Sequence, residues 1–122
     1  MSNPFGYPAC DWSKAKQEAR GALVEVAKEE IIIAYSDLVK EIRTIPLDAR
    51  DIRLHTLLGQ ISEDEDAAGH GMLSVVVVHR EGDRRPGDGF FTLAEELGYA
   101  VSDHNEFWIM MLTKVYAHWR SK

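Results

Sequence analysis

Between Trp12 and Glu30 apolar side chains return at three- and four-residue steps, with Ala15, Ala19, Ala22, Leu23, Val26 and Ala27 on one face. That period predicts an amphipathic helix over 12–30, with Asp11 or Ser13 as its N-cap and Gly21 as either a close helix contact or a tolerated weak point. Ile31, Ile32 and Ile33 follow as consecutive β-branched residues, a pattern that favours a short buried strand, with two abutting helices as the alternative. Ser36 then caps a helix with Leu38, Val39 and Ile42 inward, and this helix must stop before Pro46. Asp48 or Asp51 opens the next, which carries Leu54, Leu57, Leu58 and Ile61 and ends near Gln60.

Ser62 and Glu65 have the spacing of a capping box, and the acids at 63–66 fall in the first turn of the helix it would start. Capping explains this acidic run better than a metal site does. Gly69 and Gly71 close that helix, and the valine-rich stretch Leu73 to His79 reads as a strand covered on both faces. Arg80 to Gly89 is a polar turn or exposed loop, and Phe90 to Gly98 a short helix with a glycine stop. Asp103 or Asn105 caps a last helix with Phe107, Trp108, Met111, Leu112, Val115 and Trp119 along one wide stripe.

The 122 residues, 45% apolar and 28% charged, fit one globular domain of α+β class, mainly helical, with 1–11 as an irregular lead-in and 12–122 as the domain. The apolar runs fall far short of the roughly 20 residues that span a bilayer. The start of the chain lacks a basic segment followed by an apolar one, so a cytoplasmic location is expected. Cys10 has no second cysteine to pair with, which leaves packing as the source of stability.

The order helix, short strand, helix, helix, strand, polar loop over 12–90 resembles a winged-helix domain with an added C-terminal helix. Ile33-Ala34-Tyr35-Ser36-Asp37-Leu38-Val39 enters its second helix, and Leu73-Ser74-Val75-Val76-Val77-Val78 leads into the Arg80 to Gly89 loop. The resemblance implies nucleic-acid binding, with Arg80, Arg84 and Arg85 on the wing and Arg50, Arg53, His55 and Gln60 on or beside the recognition helix. It departs from the winged-helix pattern at Phe90 to Leu97, a helix where a wing requires a returning strand. Met72 to Val78 followed by Arg85 to Ala94 is also similar to a group of small bacterial proteins of uncharacterised activity, which implies a bacterial or mobile-element origin.

Charge weighs against the nucleic-acid reading. The formal net charge is −6, the 63–66 acids adjoin the would-be recognition helix, and Glu81, Asp83 and Asp88 interleave with the loop arginines. Catalytic signatures are absent from the pattern: His55, His70, His79, His104 and His118 are scattered, Ser74 has no GxSxG elbow, and Gly82, Gly87 and Gly89 form no phosphate-binding motif. No catalytic residue, metal or cofactor is therefore assigned. Trp108, Met110, Met111, Tyr116 and Trp119 give the last helix more apolar circumference than one core face uses. The leading expectation is a non-enzymatic interaction domain that forms a homo-oligomer, a homodimer in the simplest case, through that helix. Burial of the same helix within the chain is the alternative. A small-ligand binder or enzyme without a motif remains the third class, recognisable only by a pocket with convergent polar groups.

Overall fold

The computed structural model describes residues 8–79 and 86–120. In chain order these form α1 (Ala9–Lys28), β1 (Ile33–Ala34), α2 (Tyr35–Leu38) continued by a 3-10 turn (Val39–Glu41), α3 (Ile52–Ala67), a second 3-10 turn (Leu73–Val76), β2 (Val77–Val78), α4 (Asp88–Glu96) and α5 (His104–Trp119). The architecture is mainly helical α+β. Its sheet is one parallel pair, with Ile33 beside Val77 and Ala34 beside Val78. None of the described helices is long and apolar enough to cross a membrane.

α1 begins earlier than its periodicity suggests. Its N-cap is Pro8 rather than Asp11 or Ser13, because the Pro8 carbonyl already accepts from the Asp11 and Trp12 N–H groups. Trp12, Ala15, Ala19, Leu23 and Ala27 are buried along one face, and the small alanines let α3 and α5 pack closely on it. Gly21 meets no neighbouring atom, so it is a tolerated weak point and not a helix contact.

The expected break near Gln60 does not occur: α3 runs uninterrupted from Ile52 to Ala67. Ser62 is an interior residue of that helix and not the cap of another. Tertiary partners override the local capping signal, since Gln60 accepts from Trp12 Nε1 at 2.9 Å and Ser62 turns into the core toward Ser74. The N-cap is Asp51, whose carboxylate accepts from the Arg53 N–H at 3.0 Å. At the other end Gly69 takes the left-handed conformation, φ 85°, and the chain closes with Gly69 N–H donating to Asp66 and His70 N–H to Glu65, the paired bonds of a Schellman ending.

The valine-rich stretch is a strand only at Val77 and Val78; Leu73–Val76 is a 3-10 turn. Its position is central as expected, for every residue from Leu73 to Val78 is buried and the turn packs on α1, α3 and α5 together. A strand needs a partner along its length, and β1 offers two residues. The backbone groups left over are met by side chains instead: Ser74 N–H donates to Ser62 Oγ at 3.0 Å, Val75 C=O accepts from Trp108 Nε1 at 3.1 Å, and Met72 N–H donates to Met111 Sδ at 3.4 Å. After β2 the next described element is α4, as the helical period of 90–97 predicts, and no third strand lies among the described residues.

Candidate functional site

A half-enclosed cavity of about 190 Å³ opens between the start of α2, the N-terminal half of α3, the Leu73–Val76 turn and the first turn of α4. Tyr35, His55, Leu58, Gly59, Ser74, Gly89, Phe90 and Leu93 line it. Each position follows from local structure. Tyr35 is the first residue of α2, directly after the β1 pairing to β2, so the sheet fixes where its ring enters. His55, Leu58 and Gly59 fall at three- and four-residue steps on one side of α3. Gly59 leaves room for Leu93, whose Cδ2 would lie 3.8 Å from a Cβ at that position. Phe90 is held from behind by Phe91 and Phe107, with ring centroids 5.2 and 6.0 Å away.

Polar groups meet apolar walls here. Tyr35 is only 6% exposed, and its hydroxyl accepts from the Gly87 N–H at 3.1 Å. Burial pushes the Tyr35 phenol above its ordinary value, against the opposing effect of that Gly87 bond. Ser74 is 7% exposed, with its Oγ 2.6 Å from the Oγ of fully buried Ser62. His55 also lines the cavity, its ring centroid 5.3 Å from that of Tyr35. His79 flanks Tyr35 as well, at 5.2 Å. Partial burial, then the nearby His79, hold the His55 imidazole below its usual value, partly opposed by the Asp51 carboxylate.

A second polar cluster lies at the far end of α3. Glu65 is 6% exposed and accepts from Arg20 Nε at 3.3 Å and Nη2 at 3.2 Å, with His70 Nδ1 also 3.2 Å away. His70 stacks on His118 with centroids 3.8 Å apart, and Trp119 meets both rings edge-on. Arg20 covers the Trp119 ring at 5.5 Å. Nearby, Tyr99 donates to Asp66; burial, then this bond and the Asp66 charge, push the Tyr99 phenol up to about 12. A wide, open depression on α1 is lined by Glu18, Glu25, Glu29, Glu41 and Arg43 among others, but Glu18 is already occupied by the N–H groups of Arg43 and Thr44.

The residues singled out from the sequence fare unequally. Arg53 is engaged with Asp51, its Nε 2.9 and 3.0 Å from the two carboxylate oxygens, and this ion pair holds the Asp51 carboxyl below its ordinary value. It is not a free cation for phosphate. Arg80, Arg84 and Arg85 lie outside the described residues. Met111 is fully buried, so it packs within its own chain and leaves no surface for a partner. Trp108, Tyr116 and Trp119 are half-buried against the core, and Tyr116 donates to the Ile31 carbonyl at 2.6 Å. Met110, 44% exposed, faces outward beside Ile109 at 60%. Most of the α5 stripe is thus turned inward, onto α1 and the central turn.

Sequence reasoning missed Tyr35 and Ser74 as site residues. The available signal at Ser74 was one hydroxyl inside an otherwise aliphatic run, a polar group that must find a partner when buried. Among the described residues no three His, Cys, Asp or Glu side chains gather as metal ligands would. No family model, curated protein or solved structure matches the chain.

Proposed function

We propose that the chain is a small-ligand-binding domain whose ligand occupies the crevice between α2, α3 and α4. One observation carries this reading: two hydroxyl-bearing residues more than nine-tenths buried, Tyr35 and Ser74, line a single cavity with apolar walls. Apolar enclosure supplies affinity, and a few fixed polar groups supply orientation, the usual division of work in a binding pocket. The residues named give no activated nucleophile, since Ser74 Oγ neighbours a second hydroxyl and not a base. Binding without chemistry is the function these groups support.

A fragment screen by protein-observed NMR tests it. Ligands are expected to shift the amide resonances of Gly59, Ser74 and Gly89 together. Hits that scatter over the surface, or a screen that leaves these three unmoved, would refute the reading. A second reading, self-association through α5, rests on the adjacent exposed side chains of Ile109 and Met110. Sedimentation of the wild type and of Met110→Lys separates the two, because only an α5 contact predicts a dimer that the substitution dissolves.

A further inference from the structure

We infer that this crevice is shaped for an uncharged single-ring planar ligand bearing a carbonyl oxygen, received by hydroxyl groups of Ser74 and Tyr35; the inference rests on reading the crevice as a ligand site. Size sets the first limit. A cavity of about 190 Å³ is somewhat larger than the roughly 150 Å³ void that holds benzene. It is well below the roughly 300 Å³ at which drug-sized pockets begin. One ring with a small substituent fits within that volume, and a fused bicyclic skeleton would extend through the open side. The walls include Leu58, Leu93 and Phe90, while Gly59 and Gly89 put no side chain into the space, so a flat ring can pack against apolar residues there.

The hydroxyl hydrogens set the second limit. Ser62 and Ser74 own one each, and the 2.6 Å contact between their oxygens uses one of the two. The Ser62 oxygen also accepts from the Ser74 N–H, and neither hydroxyl has a further partner among the described residues. One hydrogen is therefore left over. Ser74 faces the cavity and Ser62 does not, so the arrangement that satisfies both has Ser62 donating to Ser74 and Ser74 donating to an occupant. Tyr35 repeats the pattern. Its oxygen accepts from Gly87 N–H, its own hydrogen has no acceptor among the described residues, and burial pushes the phenol above its ordinary value. A buried donor without an acceptor is destabilising, and an oxygen acceptor on a ligand removes that deficit at both positions.

Charge sets the third. Among the described residues no lysine or arginine lines the crevice, and His55 is held toward its neutral form. A carboxylate would lose its hydration there without a counter-charge, whereas a neutral amide or lactam carbonyl would not.

The test uses the full chain at neutral pH and three probes that share one ring: benzamide, toluene and benzoate, titrated by NMR and calorimetry. Benzamide is expected to bind in the crevice at least tenfold more tightly than either of the others. Tyr35→Phe and Ser74→Ala are each expected to weaken benzamide roughly five- to tenfold while leaving toluene unchanged or tighter. Toluene or benzoate binding as well as benzamide to the wild type would overturn the inference and leave the ligand site standing. Benzamide affinity unaltered in both variants would do the same. Failure of all three probes to shift any crevice resonance would overturn the inference together with the reading beneath it. The comparison of probes on the wild type decides the matter even where a variant folds poorly.

Discussion

At its C-terminal end α3 buries Glu65 among donors that match it, two N–H groups of Arg20 and the ring of His70, whereas its N-terminal half lies beneath Tyr35 and Ser74, hydroxyls with hydrogens that no described residue accepts. Both clusters bury oxygen atoms in one small domain; the Glu65 carboxylate is fully matched, although Trp119 Nε1 beside it has no hydrogen-bond partner among the described residues, whereas the Tyr35 and Ser74 hydroxyls each keep a hydrogen with no acceptor among them. A completed cluster ties elements together: Glu65 joins α1 to α3 through Arg20 and to the Schellman ending through His70. An incomplete one carries a standing cost that folding alone does not require, which is the physical mark of a place reserved for something else. Degree of burial does not separate the two sites. The match between donors and acceptors does.

The sharpest way to break this contrast is to remove one member from each cluster. Glu65→Ala strips the carboxylate from Arg20 and His70 and should cost about 2 to 3 kcal/mol, less than the 3 to 5 of a wholly buried pair because Arg20 is partly exposed. Urea unfolding should register this loss, while benzamide affinity stays within twofold of the wild type. Ser62→Ala should cost about 1 to 2 kcal/mol, since it orphans the buried Ser74 N–H. Ser74→Ala should cost about 1 kcal/mol, because it removes the acceptor of the buried Ser62 hydroxyl but leaves the Ser62 oxygen its bond from the backbone N–H at position 74. If Ser74→Ala proves as damaging as Glu65→Ala, the serine pair is structural and the contrast collapses.

The smallest effect expected is one of pH. The folded chain holds His55 below the unfolded value of 6.5, so as pH falls the unfolded chain takes up that proton first. The contribution of neutral His55 is complete above about pH 6.5 and is lost as pH drops from there through the folded value. His55→Gln should flatten the corresponding part of a plot of stability against pH. A slope unchanged by the substitution would assign the titration to another group.

Some helix ends were legible in the sequence where their chemistry is local, although the expected caps at Asp11 or Ser13 and at Ser36 and the stop near Gln60 were not found. Asp51 and Asp103 cap α3 and α5 through their own carboxylates, and Gly69 and Gly98 stop α3 and α4 at positive φ. The interior of α3 was not legible. Ser62 and Glu65 have capping-box spacing, yet each is drawn inward by a partner distant in sequence, Ser74 in one case and Arg20 in the other. Propensity likewise favoured a long strand over Leu73 to Val78, and the two-residue length of β1 limits it to Val77 and Val78. The crevice was hidden for the same reason. Tyr35 and Ser74 are brought to one cavity by the pairing of β1 with β2, and nothing local to either residue records that pairing.

The most direct test of the unmatched hydroxyls is a crystal structure of the chain grown with benzamide. The expected result places the ring between Phe90 and Leu58, with its carbonyl oxygen about 2.7 Å from Ser74 Oγ, the distance of an O–H donor to oxygen. A benzamide ring seated in the crevice with its carbonyl turned to solvent, and Ser74 satisfied within the protein, would contradict the account.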